Sequence, residues 1–400
     1  MRRVTVFLLA LMLMFVCLAY AEENEAIPAS FIFGADVSTA LSEENSGVVY
    51  KNAAGEETDL FQLLKESGWD TVRVRVWNDP FDENGMGYGG GNCDVSNAVE
   101  IAKRCQQAGL ALAVDFHYSD FWADPSKQMC PKAWVGMTLE QKCDALYAFT
   151  VSALMRIKET GVQVTMVQVG NEINGGIAGE WSTNGRNQLM NAGSAAVRAV
   201  LPDALVVVHF TNINQSDAKK YIREVCEGID AVDFDVMAYS YYSYWHGNID
   251  TLKELIADVR ENFGKDVIIA ETAYPFTNEN LDMHPNSVPN EWCDMKQMVD
   301  RDGQAADFKV TVQAAVEAGA LGVFYWEPAW IKVPGDTWEE QRILWEQYGS
   351  GWASSYASGY DPQDAGEWYG GCAWENQALF EMDGTAAWTL ALPNIIRLGE

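Results

Sequence analysis

Two glutamates in this sequence directly follow apolar runs that are typical of buried β-strands. The first run, Val164–Val169, ends at a glycine and is followed by Asn171 and Glu172. The second run, at residues 267–270, leads straight into Glu271. A carboxyl group at the mouth of an apolar strand loses hydration, which raises its pKa and suits it to act as a general acid near neutral pH. Two carboxyl groups facing one cavity are the arrangement of a glycosidase, and this is the function that the strand ends predict.

Eight apolar, strand-like runs alternate along the chain with amphipathic segments. The runs cover residues 31–38, 70–77, 111–118, 164–172, 205–210, 234–242, 266–273 and 319–327. The helical patterns between them cover residues 60–65, 95–108, 139–160, 188–200, 217–227, 251–263 and 305–318. Strand–helix units in one series favour an α/β fold, a single-domain (β/α)8 TIM barrel, over an open sheet. Because no linker-like stretch divides the series, residues 22–400 are expected to form one catalytic domain.

Polar side chains gather where these strands end, which is where the active site of such a barrel lies. Strand alternation places Arg73, Arg75 and Trp77 on one face, and buried guanidinium groups need carboxylate partners. His117 and His209 stand at the ends of the third and fifth runs. A lone histidine is more often a hydrogen-bonded structural residue than a catalyst, and that interpretation stays open for both. Their shared position at the strand ends favours a role in the site.

The segment after the eighth strand is long and rich in aromatic residues. It contains Trp338, Trp345, Trp352, Trp368 and Trp374. A long loop in a compact domain is usually functional, so this loop is predicted to wall one side of a cleft. Its tryptophans suit stacking against sugar rings, although a large aromatic core would explain them equally well.

The charge balance restricts the class of partner. The chain has 57 acidic against 27 basic residues, a formal net charge of −30. Such a protein repels a phosphate backbone, so nucleic acid is not an expected partner. A strongly anionic polymer is disfavoured as well, whereas a neutral glycan is not.

Residues 1–21 have the features of an export signal. Arg2 and Arg3 precede an apolar stretch, and an A-x-A pattern ends at Ala21. The protein is therefore expected to be secreted, or to reside in the periplasm or at the cell surface, after this segment is removed. A lipoprotein anchored through Cys17 is the alternative. No other stretch is apolar enough to cross a bilayer.

Seven cysteines remain after the signal segment. Export permits disulfides, but the number is odd and no metal-type C-x-x-C pair is present. We expect bridges between Cys93 and Cys130 and between Cys293 and Cys372. The remaining thiols, which lie in helical patterns, are expected to be buried.

The chain closely resembles glycoside hydrolase family 53, the endo-β-1,4-galactanases within the large clan of retaining (β/α)8 glycosidases. The resemblance covers nearly all of the chain after the signal segment and rests on motifs that occur in the same order. They are FGADVS at 33–38, RVRVWNDP at 73–80, DFHYSDFWADP at 115–125, VGNEINGG at 169–176, SYYSYWHG at 240–247, ETAYPF at 271–276, GSGWASSYA at 349–357 and WYGGCAWENQALF at 368–380.

This resemblance implies a role for individual residues. Glu172 is similar to the general acid/base and Glu271 to the nucleophile of a double displacement. Arg73 and Tyr242 are expected to keep Glu271 ionised, and Asn171 to bind the sugar 2-hydroxyl. The other residues expected to bind substrate are His117, His209 and Trp326, which frame the cleaved bond, and Trp77, Asp79, Tyr118, Trp181, Tyr241 and His246 along the cleft. The implied substrate is β-1,4-galactan, and the protein is expected to be a monomer.

The resemblance also suggests a calcium site, because in bacterial members of the family a Ca²⁺ ion connects the loops after strands seven and eight. The candidate ligands, which suit a hard cation, are Asn280, Asp282, His284, Asn286 and Glu375. The chain departs from the family pattern at Cys372, where a serine-type ligand is expected, and at Glu375, where an aspartate is expected. A Cys293–Cys372 bridge is the alternative tie between the loops. No organic cofactor is expected.

Two rival functions stay open from the sequence alone. One is a related enzyme of the clan that acts on another β-linked glycan, such as mannan or cellulose. The other is a barrel that captures glycans without cleaving them.

Overall fold

A computed structural model describes residues 26–399, and within them eight parallel strands close into a barrel in the order β1 to β8. Each strand pairs with the next, and β8 pairs with β1, so Asp36 lies opposite Trp326. The strands are β1 Ile32–Asp36, β2 Thr71–Val76, β3 Ala111–Phe116, β4 Val164–Val169, β5 Leu205–Phe210, β6 Val236–Ser240, β7 Asp266–Thr272 and β8 Gly322–Trp326. The prediction of a (β/α)8 barrel is confirmed. The predicted export signal lies outside the described residues.

Helices separate the strands and cover the barrel. They are α1 Ala40–Asn45, α2 Leu60–Glu66, α3 Val95–Ala108, α4 Leu139–Lys158, α5 Thr183–Val200, α6 Ala218–Cys226, α7 Ile249–Phe263, α8 Arg301–Glu317, α9 Trp338–Tyr348 and α10 Leu392–Leu398. Their ends follow local chemistry. Thr138 and Gln141 form a capping box that starts α4, and α3 ends at Gly109, whose φ of 71° suits a residue without a side chain.

The interior of the barrel is apolar at one end and polar at the other. Met166, Ile268 and Phe324 belong to an apolar cluster that fills the interior. A Cβ atom on Gly34 would lie 2.1 Å from the Phe324 ring, so only glycine leaves room for this ring. Towards the carboxyl ends of the strands, the inward-facing residues include Arg73 and Asp115, which are buried. The apolar cluster therefore fills one end of the barrel interior, and a polar surface remains at the carboxyl ends of the strands.

The long segment after β8 is more ordered than the sequence pattern predicts. It contains α9, which a capping box of Thr337 and Glu340 starts and Gly349 ends, and short 3₁₀ turns at Ser355–Gly359, Glu375–Gln377 and Trp388–Ala391. The sequence prediction of a loop missed α9, because its inner face carries the polar Gln341 between Trp338 and Trp345 and most of its other residues are charged or polar.

The predicted disulfides are wrong in this structure, where the cysteines of residues 26–399 are all free. The Cys93 thiol donates to the carbonyl of Gly90 at 3.1 Å. The Cys293 thiol donates to Asn290 Oδ1 at 3.4 Å, and the Cys372 sulfur accepts from the backbone N–H of Trp374 at 3.4 Å. The sulfur atoms of Cys93, Cys293 and Cys372 thus each have a local polar partner in place of a second sulfur.

Among the described residues, no helix is both long enough and apolar enough to span a bilayer.

Candidate active site

Glu271 lies at the carboxyl end of β7 and is held by two donors. Arg73, from β2, donates from Nη1 to Glu271 Oε1 at 2.9 Å. The Tyr242 hydroxyl, just beyond β6, donates to Oε2 at 3.0 Å. Both donors stabilise the ionised carboxylate, and they aim its two oxygens in fixed directions.

Arg73 is the centre of a buried charge network. Its guanidinium also contacts Asp36 and Asp115, each at 2.9 Å, and donates to Asn171 Oδ1 at 3.0 Å. Burial alone would lower the pKa of Arg73, but the surrounding carboxylates raise it above the usual range, so Arg73 stays charged. The buried guanidinium that the sequence predicted therefore has the carboxylate partners that it needs.

Glu172 follows β4 in a backbone conformation that is rare for a residue with a side chain. Its φ is 44°, in the left-handed region, where a non-glycine residue is strained. Its Oε1 accepts a hydrogen bond from the Ser240 hydroxyl at 2.7 Å. Burial, and next the negative charge of Glu271, raise the pKa of Glu172 to about 8. Glu172 is therefore protonated at neutral pH, as a general acid must be.

The two glutamates differ because their neighbours differ. Burial also raises the pKa of Glu271, but the Arg73 guanidinium and the Tyr242 hydroxyl oppose that rise. Glu172 accepts from the neutral Ser240 hydroxyl, where Glu271 has the Arg73 cation. As the pH rises, Glu271 thus ionises before Glu172. At the same pH one glutamate is then a carboxylate and the other a neutral acid.

A neutral histidine supports the acid through a hydroxyl. Burial, followed by the charge of Arg73, lowers the pKa of His209 well below its usual value. His209 Nε2 lies 2.9 Å from the Ser240 oxygen, and the Ser240 hydroxyl in turn donates to Glu172. We assign the ring proton to Nε2 from these partners, because the serine oxygen can then accept from His209 while its proton points to the glutamate.

Both glutamates line one cavity of about 340 Å³ at the carboxyl ends of the strands. Arg73 and Asn171 form part of its floor, and indole rings form much of its wall. Besides the glutamates, the lining side chains include Arg73, Arg75, His117, Trp122, Asp124, Lys127, Asn171, Tyr242, Trp245, Trp326, Trp352, Asp364 and Trp374. Carboxyl groups flanked by aromatic rings and neutral amides suit an uncharged sugar ring.

The predicted substrate-binding residues fall into three groups in the structure. Arg73, His117, Asn171, Tyr242 and Trp326 line the cavity with the two glutamates. A second group is buried outside this lining and comprises Trp77, Tyr118, His209, Tyr241 and His246. Asp79 and Trp181 are exposed and lie outside the lining as well.

Within the buried group, Trp77, His209 and His246 contact cavity residues, whereas the Tyr118 hydroxyl bonds Thr150 of α4. Trp77 donates from Nε1 to His117 Nδ1 at 3.1 Å, which leaves the other ring nitrogen of His117 to donate to Asp115. The Tyr242 backbone N–H donates to His246 Nδ1 at 3.1 Å. Strand alternation cannot separate such support from substrate contact, because both kinds of side chain lie at the same strand ends.

Several functional positions were not singled out from the sequence. Ser240 is a small hydroxyl residue at the end of β6, and only its position at a strand end could have indicated it. Gln168 donates to Asp115 Oδ1 at 2.6 Å from within an otherwise apolar strand. Trp122, Trp245 and Lys127 come from loops whose path over the cavity is not encoded in a local pattern.

Only some of the candidate calcium ligands lie together in the structure. Asp282 and Glu375 are buried, and the negative charge of Asp282 adds to burial in raising the pKa of Glu375 to about 8. Glu375 Oε2 and Asn286 Oδ1 are buried without a hydrogen-bond partner, so both oxygens are available as cation ligands. Asn280 is exposed.

The donor set around Asp282 is consistent with a hard cation bound by mixed oxygens. The Asp282 carboxylate also accepts from the backbone N–H groups of His284 and Cys372, at 2.6 and 2.9 Å, and so connects the loops after β7 and β8. Within residues 26–399, no three His, Cys, Asp or Glu side chains converge as metal ligands. An ion here would therefore depend on amide and backbone oxygens in addition to the two carboxylates, which Ca²⁺ accepts.

A (β/α)8 barrel with one ionised and one protonated glutamate in an indole-walled cavity defines the class of glycoside hydrolases. The sequence profile of glycosyl hydrolase family 53 matches residues 32–392, and the chain belongs to this family. The chain is 47% identical to the endo-β-1,4-galactanase of Bacillus subtilis (strain 168), over 91% of this chain and 86% of that protein.

More distant relatives agree with this assignment. The chain is 32% identical to the arabinogalactan endo-β-1,4-galactanase of Cellvibrio japonicus (strain Ueda107), over 84% of this chain and 89% of the relative. Its fold matches the GH53 catalytic domain of Ignisphaera aggregans with a TM-score of 0.80 at 34% identity, which covers 93% of this chain and 98% of that one.

Proposed function

We propose that this protein is an endo-acting β-1,4-galactanase that hydrolyses the galactan side chains of pectin with retention of the β configuration. The observation that carries the proposal is the unequal glutamate pair, in which Arg73 and Tyr242 hold Glu271 as a carboxylate while burial keeps Glu172 protonated. Family membership and the names of the relatives support the choice of substrate.

The first step transfers the glycosyl group to the protein. Glu271 attacks the anomeric carbon, and the bond from that carbon to the glycosidic oxygen breaks as Glu172 protonates the oxygen. Retention by this route needs the carboxyl groups about 5–5.5 Å apart. The product is a shortened galactan chain, which leaves, and a glycosyl ester on Glu271.

In the second step Glu172 acts as a general base. Glu172, now ionised, removes a proton from water, and the water oxygen attacks the anomeric carbon as the ester bond to Glu271 breaks. Arg73 and Tyr242 stabilise the carboxylate that is released. Asn171, which Arg73 holds by a hydrogen bond of 3.0 Å, donates to or accepts from the sugar 2-hydroxyl as positive charge develops on the ring.

Product analysis on linear β-1,4-galactan tests activity, linkage and endo-action together. We expect an early mixture of oligosaccharides of several lengths from galactan and no release from mannan or cellulose. Release from mannan or cellulose at a comparable rate would favour the related β-glycanase, and no release from any polymer would favour a glycan-capturing barrel.

The Ser240 hydroxyl provides a prediction for the pH profile. Its hydrogen bond favours the ionised form of Glu172, so Ser240→Ala should raise the pKa of that carboxyl further above about 8. Since the acid must be protonated in the first step, the alkaline limb of kcat/KM should move to higher pH. Initial rates on galactan between pH 5 and about 10 measure this shift. An alkaline limb that moves to lower pH would contradict the assignment.

The site formed by Asp282, Asn286 and Glu375 is proposed to bind Ca²⁺. A bound ion would neutralise the buried carboxylates and fasten the loop after β7 to the loop after β8. Because binding to the folded state adds stability, chelation should lower Tm by about 3–6 °C, and added Ca²⁺ should restore it. Glu375→Gln should have a Tm that does not respond to the chelator. A parent protein with the same Tm in chelator and in Ca²⁺ would rule the ion out.

Export of the protein is proposed from residues 1–21. Mass spectrometry of the protein secreted by its natural host should give a chain that begins at Glu22. A mature chain that begins at a lipid-modified Cys17 would support the lipoprotein alternative.

A further inference from the structure

A second buried ion pair borders the catalytic network, with Arg75 Nη1 3.6 Å from Asp36 Oδ1, and it has no role in the chemistry described above. Arg75 donates from Nη1 to Glu327 Oε1 at 2.5 Å and from Nη2 to the Gly90 carbonyl at 3.0 Å. The Thr39 hydroxyl donates to Glu327 Oε2 at 2.7 Å. Both charged side chains are only 1% exposed. Such a pair costs desolvation energy on both sides, so it is weak evidence for a purely stabilising role.

The backbone at Glu327 is also unfavourable. Glu327 follows Trp326 at the end of β8 with a φ of 49°, a conformation that a residue with a side chain rarely adopts. A glycine would adopt it without strain. The chain places a carboxylate there in spite of the strain, as functional sites do.

The Arg75 guanidinium lies against an indole of the cavity wall. Its Cζ atom is 4.3 Å from the centre of the Trp122 ring, and both residues line the cavity. The Trp122 ring is also held by a hydrogen bond, in which its Nε1 donates to the Trp352 carbonyl at 2.8 Å. Trp122 stacks on the buried Trp330 at 6.2 Å, with ring planes 20° apart, and lies 6.3 Å from Trp326.

We propose that the Arg75–Glu327 pair is a positioning element that fixes the Trp122 ring relative to Trp326, so that the two indoles form a rigid corner for one sugar ring. This inference rests on the proposed function. Glu327 joins the two sides of the corner, because it directly follows Trp326 in the chain and binds the guanidinium under Trp122. Arg75 and Glu327 act through the indoles, while Trp122 contacts the sugar.

If the two indoles form this corner, the effects of substitutions at Arg75 and Trp122 on substrate binding should not be additive. Arg75→Met and Trp122→Ala should each raise KM for a linear β-1,4-galactopentaose about 3- to 30-fold, the range of a cation–π contact, with kcat close to that of the parent. The double variant should bind no more weakly than Trp122→Ala alone, because the proposed role of Arg75 in binding is to hold that ring. Isothermal titration of the same oligosaccharide into these variants in the Glu271→Gln background gives the affinity without turnover.

The control is an arginine with the same kind of contacts on the outside of the barrel. Arg104 lies over the Phe61 ring at 4.5 Å and pairs with Glu44 at 2.6 Å. Arg104→Met should leave KM unchanged. Should Arg75→Met not fold, Glu327→Gln replaces it, since the amide keeps the shape of the carboxyl group and can still accept from Thr39. It should raise KM in the parent but not on top of Trp122→Ala.

Three results would overturn the inference. They are additive losses in the double variant, a fall in kcat with KM unchanged, and a lower Tm with unaltered kinetics. A parent that does not cleave galactan would contradict the proposed function instead, which the parent assay shows before any variant is made.

Discussion

Glu271→Gln should lower kcat on linear β-1,4-galactan by about 10⁴-fold or more, because the amide cannot form the glycosyl ester. The change is nearly isosteric, and the amide oxygen can still accept from Arg73 or Tyr242. Oligosaccharide affinity should therefore be largely retained. Initial rates and a titration with galactopentaose measure the two effects separately.

The matched control for this variant is Glu279→Gln, on the loop that follows β7. Glu279 is exposed, and its side chain lies outside the cavity lining. It should retain the activity of the parent. If Glu271→Gln kept a tenth of the parent rate, or if the parent itself turned over as slowly as the variant, the role of Glu271 as nucleophile would fail.

Glu172→Gln should have an effect that depends on the leaving group. On galactan the departing sugar hydroxyl needs a proton, so loss of the acid should lower kcat/KM by about 10³-fold. A dinitrophenyl β-galactobioside carries a leaving group that needs no proton, and the first step should proceed at nearly the parent rate. The ester on Glu271 should then accumulate, because no base activates water.

Azide distinguishes this explanation from a general loss of structure. Added azide attacks without a base and should restore turnover of the dinitrophenyl substrate, with a β-galactobiosyl azide as product. A variant that is equally slow on both substrates and insensitive to azide would contradict the role of Glu172 as acid/base.

The barrel was predictable from the sequence because each strand is an apolar run with a helical pattern after it. The run before Glu172 shows this well, since β4 is Val164–Val169 in the structure. The runs were predicted slightly too long at several ends, because the backbone leaves the extended conformation where the site residues begin. Tyr118, Glu172 and Glu327 all have a positive φ. Periodicity failed at α9, whose inner face is interrupted by the polar Gln341 between Trp338 and Trp345.

The core of the candidate site was also predictable, for a related reason. Glu172, Glu271 and Arg73 each stand at a strand end, and strand ends of one barrel meet at one rim. Ser240 and Trp122 were not predictable in this way. The contact between Ser240 and Glu172 joins residues 68 positions apart, and the place of Trp122 depends on a hydrogen bond to Trp352 across two loops. Such contacts follow from packing and leave no local pattern.

The disulfide prediction failed because spacing in loops does not determine which side chains face each other. Cys372 is close in space to Asp282, to which its backbone N–H donates at 2.9 Å. The tie between the two loops is therefore made by carboxylates, in a place where the sequence alone allowed a covalent bond.

The most direct test of the central claim is to trap the glycosyl ester. Incubation with a 2-deoxy-2-fluoro-β-galactobiosyl fluoride forms the intermediate and slows its hydrolysis, since fluorine destabilises the positive charge on the ring. Peptide mass spectrometry should then find one sugar adduct, on Glu271, in the parent and none in Glu271→Gln. An adduct on a different residue, or rapid inversion of the substrate without any adduct, would contradict the double displacement by Glu172 and Glu271.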